Sequence, residues 1–146
     1  MVDRIPALLS LTEIQTLVES LARQICVPAD LLPTFGQTMD GARPHIETDL
    51  AYHRVVVERG KEIDRKTTQE LDELLYWIFR SITSTMAADF ELQNRIDGCS
   101  PRRLMFRKQL ELLGALKRSW EEKRRIEIRE ILKENPFDDG KDENVI

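Results

Sequence analysis

The chain has 146 residues, 41% hydrophobic and 33% charged, with a formal charge of −4, which suits one globular domain burying its own core and excludes extended disorder. Cys26 and Cys99 lie far apart with no C-x-x-C spacing, so they read as two reduced thiols. No segment approaches the ~20 apolar residues that cross a bilayer, and the apolar run after Asp3 and Pro6 is too short for a secretion signal, which predicts a soluble, cytoplasmic protein without a membrane partner.

In chain order, Leu11, Ile14, Leu17, Val18, Leu21 and Ile25 recur at helical spacing. They predict an N-terminal amphipathic helix of about three turns, capped by Ser10 or Thr12 and ended before Pro28. Residues 27–44 hold three prolines and two glycines and read as an irregular connection, with a helical turn at 29–32 and with Leu31, Leu32 and Phe35 turned toward the core. Residues 45–49 and 51–58 are strand-like, the second rich in valine; Arg59-Gly60-Lys61 turns the chain, and 61–66 returns as a polar strand with Ile63 its only large apolar residue. The expectation is a small three-stranded antiparallel meander with one wet face and a charged outer strand that resists edge pairing.

The rest is organised around a long central helix from Thr67 to about Arg95. Thr67 with Glu70 reads as a capping box, and Glu70, Asp72 and Glu73 suit the positive end of a helix dipole. Leu71, Leu74, Leu75, Ile78, Ile82, Met86 and Phe90 form one stripe, while Tyr76, Trp77 and Phe79 make the first half apolar on its other sides; Asp97-Gly98 supplies the stop. Ser100-Pro101 is an N-cap with proline at the first helical position. A second apparent capping box, Ser119 with Glu122, predicts a break at 117–119 and a fresh helix from Trp120 to about Glu134, ended by Asn135-Pro136. The predicted fold class is α+β: an N-terminal helix, the meander, the long helix and two further C-terminal helices. Residues 1–137 read as a single domain and 138–146 as an acidic flexible tail.

The charge is divided: residues 1–101 hold 10 Lys/Arg against 16 Asp/Glu, 102–134 hold 11 against 6, and 135–146 hold 1 against 4. Such fields steer partners. Candidate chemistry is sparse. His45 and His53 could meet across the hairpin, but a third metal ligand would have to come from Glu47 or Asp49 on the same ribbon, so they read as surface or interstrand histidines. Cys99 precedes a helix start without a designated base. The many carboxylates show no D-x-D or H-x-x-E spacing, and no glycine-rich phosphate loop is present. Catalytic residues, cofactor sites and metal sites are therefore none. Arg102, Arg103, Arg107, Lys108, Lys117, Arg118, Lys123, Arg124 and Arg125 form a basic stretch that supports an alternative reading, a nucleic-acid-associated or regulatory module. Interleaved glutamates and an acidic pI near 5.3 weigh against it.

The succession YHRVVVERGKE, TTQELDELLYWIFRSIT, RRLMFRKQLELLGALKRSWEEKRR and NPFDD, over residues 52–139, resembles immunity protein 63, a family of bacterial polymorphic toxin systems; residues 1–43 form the variable part. The resemblance implies a non-enzymatic cytoplasmic antidote that binds and neutralises a cognate toxin domain, such as a nuclease, by protein–protein contact in bacterial competition. It supplies no catalytic residues. An acidic face suits occlusion of a basic cleft, which places the expected partner surface at Asp49, Glu58, Glu62, Asp64 and Asp72. Self-association is compatible with the apolar C-terminal helices, and the sequence leaves oligomeric state open.

Overall fold

The structure, a computed structural model, describes residues 8–38 and 40–141; the N-terminal positions Asp3 and Pro6 and the last five tail residues lie outside them. In chain order it holds α1 (Leu11–Gln24), a 3-10 turn (Ala29–Leu31), β1 (Thr34–Phe35), β2 (His45–Thr48), β3 (Tyr52–Glu58), β4 (Lys61–Thr68), α2 (Leu71–Gln93), α3 (Pro101–Leu116) and α4 (Arg118–Glu134). The chain groups into two compact units, one of residues up to Arg23 with Leu32–Ile78, the other of Gln24–Leu31 with the chain from Phe79 onward.

In the first unit, α1 starts at a reciprocal capping box. The Ser10 amide donates to Glu13 Oε1 at 3.1 Å and the Glu13 amide to Ser10 Oγ at 3.2 Å, so Ser10 rather than Thr12 is the cap. Ile14 and Val18 from this helix are fully buried, as is Ile46 of β2. The Leu9 amide donates to the Tyr52 hydroxyl at 2.8 Å, tying the approach to α1 to the start of β3 and giving that buried phenol its partner.

The sheet corrects the expected three-stranded antiparallel meander. It has four strands in the order β1-β2-β3-β4 and is mixed: β2, β3 and β4 pair antiparallel as expected, and β1 adds parallel to β2 with Thr34 beside His45. A two-residue strand among prolines and glycines shows no alternation by which sequence could reveal it. Its place is set by the Thr34 amide donating to the Pro44 carbonyl at 3.0 Å and the Gly36 amide to the Ile46 carbonyl at 2.8 Å. The β3–β4 turn puts both Arg59 (φ 53°) and Gly60 (φ 73°) in the left-handed region, the two-residue geometry whose twist matches that of the strands.

The start of α2 is a second correction. Thr67 remains in β4 opposite His53, and the helix begins at Leu71. Thr68 holds the turn instead, its hydroxyl accepting from the Glu70 amide at 3.0 Å. Strand pairing takes Thr67 away from the cap that its spacing to Glu70 suggested.

In the second unit, Phe79 of α2 stacks on Trp120 of α4, ring centroids 5.9 Å apart and planes 19° from parallel. Gln109 of α3 is buried and satisfied at both ends: its amide donates to the Arg80 carbonyl at 3.0 Å and to Thr83 Oγ1 at 3.2 Å, and its oxygen accepts from Arg124 Nε at 2.9 Å. Ser100 and Pro101 open α3 as expected, although the serine side chain makes no cap bond. The α3–α4 break falls at a single extended residue, Lys117, and α4 begins at Arg118 rather than Trp120. The expected Ser119–Glu122 box does not form; Glu122 pairs with Arg118 one turn away, at 3.1 Å.

The unit closes with Phe137, buried with Phe106, Leu110, Ile128 and Leu132. Arg103 lays its guanidinium 4.1 Å from the centre of the Phe137 ring and donates to Asp139 through Nε at 2.7 Å and Nη2 at 2.9 Å. Asp139 also accepts from the Ser100 amide at 2.7 Å. Both side chains of this pair are buried, so a residue within the expected tail is fastened to the start of α3.

Candidate binding surfaces

Strand register decides where the acids of the first unit sit. His45, Glu47, His53, Val55, Arg65 and Thr67 fall on one side of the β2–β3–β4 ribbon, because partners opposite each other and residues two apart share a face. On this side His45 Nε2 lies 2.7 Å from Glu47 Oε2, and Arg65 Nη2 lies 3.6 Å from the same carboxylate and 2.6 Å from Glu62. Glu62 and Arg65, three apart, would point to opposite faces of a regular strand. The register shift at Val56/Val57 is a bulge that turns them to the same one.

The second histidine forms a parallel arrangement. His53 Nε2 lies 2.7 Å from Asp49 Oδ1, and His53 Nδ1 lies 2.8 Å from the Thr67 hydroxyl. In both rings the Nε2 that faces a carboxylate carries the proton and donates it. His53 Nδ1 shares a hydrogen bond with the Thr67 hydroxyl, while His45 Nδ1 is buried without a hydrogen-bond partner among the described residues. The hydrogen bond from His45 is the chief reason the Glu47 carboxyl is held below its ordinary range, with the Arg65 charge adding to it against some desolvation. Asp49 is lowered in the same way, by His53 first and the Ala51 amide second.

The histidines are interstrand, as one of the two expectations had it, and both are buried. Each has its own carboxylate, and no group of three or more His, Cys, Asp or Glu among the described residues is placed to hold a metal ion.

The five acids expected at a partner surface are dispersed. Asp49 and Glu62 belong to the histidine side, Asp64 sits opposite Val56 and faces the other side, Glu58 lies at the hairpin end opposite Lys61, and Asp72 is in the first turn of α2. All five are exposed. Glu47, weighed in the sequence only as a metal ligand, is half-buried and joined to both His45 and Arg65; its two-residue spacing from His45 marks that pairing once the strand is known.

In the second unit most of the basic residues are paired with neighbouring acids. Arg80 and Arg124 share Glu127, Arg125 meets Glu121, Lys108 meets Glu111 and Arg118 meets Glu122. Arg102 donates to the carbonyls of Asn135 and Pro136 at 2.8 and 2.9 Å. Arg107 is exposed and has no such partner among the described residues. No helix among them is long and apolar enough to cross a membrane.

Among the described residues, a mixed four-stranded sheet and four α-helices, with exposed acids on one unit and mostly paired bases on the other, make an α+β protein. Its sequence matches immunity protein 63 over residues 48–130, more than half of the chain, and the chain belongs to that family. The matched segment runs from the end of β2 into α4 and stops before the NPFDD motif. No curated protein and no solved structure matches the chain at a significant level.

Proposed function

We propose that this protein is a cytoplasmic antidote that binds the catalytic domain of a cognate bacterial toxin and blocks it by occupying its surface, with no reaction of its own. Membership in the immunity protein 63 family carries this reading. The charge division supports it: exposed carboxylates at Asp49, Glu58, Glu62, Asp64 and Asp72 give the first unit a negative field suited to a basic toxin cleft, such as that of a nuclease. Pairing of the basic residues with their own glutamates weakens the rival reading as a nucleic-acid module, because such charges have little left for phosphates.

The test is co-expression with the toxin domain encoded beside it: the antidote restores growth, and the purified pair forms a complex. In that complex the double charge reversal E58K/E62K lowers the association rate by about tenfold at low ionic strength and leaves the dissociation rate nearly unchanged. Association kinetics identical to those of the parent at low salt would remove these carboxylates from the contact surface.

A further inference from the structure

We infer that a cleft at the start of α3 is a separate contact site, shaped to receive one apolar side chain of the toxin domain with a carboxylate beside it. The inference rests on the reading of the chain as a toxin-binding protein and assigns to that function a surface of the second unit.

The cleft encloses about 130 Å³ between the end of α2, the loop that follows and the first turns of α3, with Ile96, Cys99, Pro101 and Leu104 among its walls. Apolar cavities of about 150 Å³ hold a benzene molecule, so this volume fits the end of a phenylalanine or leucine side chain. Ile96, in the cleft lining, is 54% exposed. An exposed isoleucine set in an apolar recess makes a surface that gains by being covered.

The charges around the cleft choose the partner. Glu91, a residue of the wall, is paired with Arg95 through bonds of 2.8 and 3.0 Å, and Arg103 is paired with Asp139. Among the described residues, two cations at the cleft have no carboxylate partner: Arg107, and Lys141, whose ammonium donates to the Cys99 sulfur at 3.0 Å. An apolar recess with uncompensated cations beside it calls for an apolar group flanked by an anion, and an arginine beside such a recess is a typical hot-spot residue.

The experiment uses the full chain, isotope-labelled, and follows backbone amide signals while phenylacetate or its neutral counterpart phenylacetamide is added. Phenylacetate should shift the signals of Ile96, Cys99, Leu104 and Arg107 saturably in the millimolar range, phenylacetamide should do so more weakly, and R107E should lose the response while keeping the parent's circular dichroism. Against the toxin domain, R107E and I96D should each lose affinity by about thirtyfold or more. Phenylacetate that leaves the cleft signals still, or parent-like toxin affinity in both variants, overturns the cleft and leaves the antidote reading standing. If the parent chain does not bind the toxin domain, that reading fails and the toxin falls as occupant whatever phenylacetate does. Self-association of the parent that L50D dissolves would give the cleft to the exposed Asp49–Leu50 corner of a second copy and overturn the choice of partner.

Discussion

Asp139 shows how much one side chain can organise. Four donors converge on it, from the Ser100 amide, two nitrogens of Arg103 and the Lys141 amide, and the Arg103 bonds above all hold its carboxyl well below the ordinary carboxylate range. A depressed folded value means that ionised Asp139 stabilises the fold fully above its unfolded value of 3.8, progressively less as pH falls below that, and not at all once the folded value is passed. Glu47 and Asp49, lowered for the same kind of reason, add in the same direction. D139N should therefore lower the melting temperature at pH 7 and flatten its decline between pH 4 and pH 2, as a thermal melt series across that range would read out; a parallel decline in parent and variant would assign the acid sensitivity elsewhere. Phe137, in the same motif, is an apolar counterpart. Removing its ring from the Phe106, Leu110, Ile128 and Leu132 cluster by F137A should cost about 3–5 kcal/mol in denaturant unfolding, because the cavity left is lined by side chains fixed on two helices.

At the scale of elements, local chemistry was legible where the deciding partner lies within a few residues. The Arg59-Gly60 turn, the Ser100-Pro101 start and the apolar stripe of α2 stand in the sequence because near neighbours, or a single φ, determine them, and the α1 cap was narrowed there to Ser10 or Thr12. What could not be read was set by distant partners. Thr67 has the right spacing to Glu70 and is claimed by His53, fourteen residues away; β1 exists only because β2 offers it a parallel edge; Glu62 and Arg65 meet only through a bulge. Charge counts do not say which face of a strand an acid takes, so the placing of Asp49 and Glu62 on one side and Asp64 on the other was not legible. Two substitutions test the local rules. S10A should destabilise by about 1 kcal/mol through loss of the helix cap, and G60V by at least about 1–2 kcal/mol, because a β-branched residue resists a φ of 73°. Equilibrium unfolding measures both, and a neutral G60V would mean that the hairpin can adopt another turn.

For the whole molecule the division of charge matters more than its sum. A net charge of −4 would steer weakly, but a negative first unit and a second unit whose bases are largely internally paired concentrate the usable field on one part of the chain. Toxin association should accordingly slow steeply as salt rises from 50 to 300 mM, while dissociation changes little, since the Debye length shrinks toward the size of the contact itself. Stopped-flow mixing across that range measures it, and a salt-independent association rate would leave the acidic strands without a role in encounter.

The fastening of Asp139 to Ser100 and Arg103 also governs where the polypeptide can be cut or extended. A boundary drawn after Phe137, the natural choice from sequence, keeps the aromatic ring yet strands the Arg103 guanidinium in a buried position without its carboxylate. Tags, fusion partners and reporter domains therefore belong beyond Lys141, whose carbonyl still accepts from that arginine, and a shortened version ending at 137 should be recovered mainly from inclusion bodies.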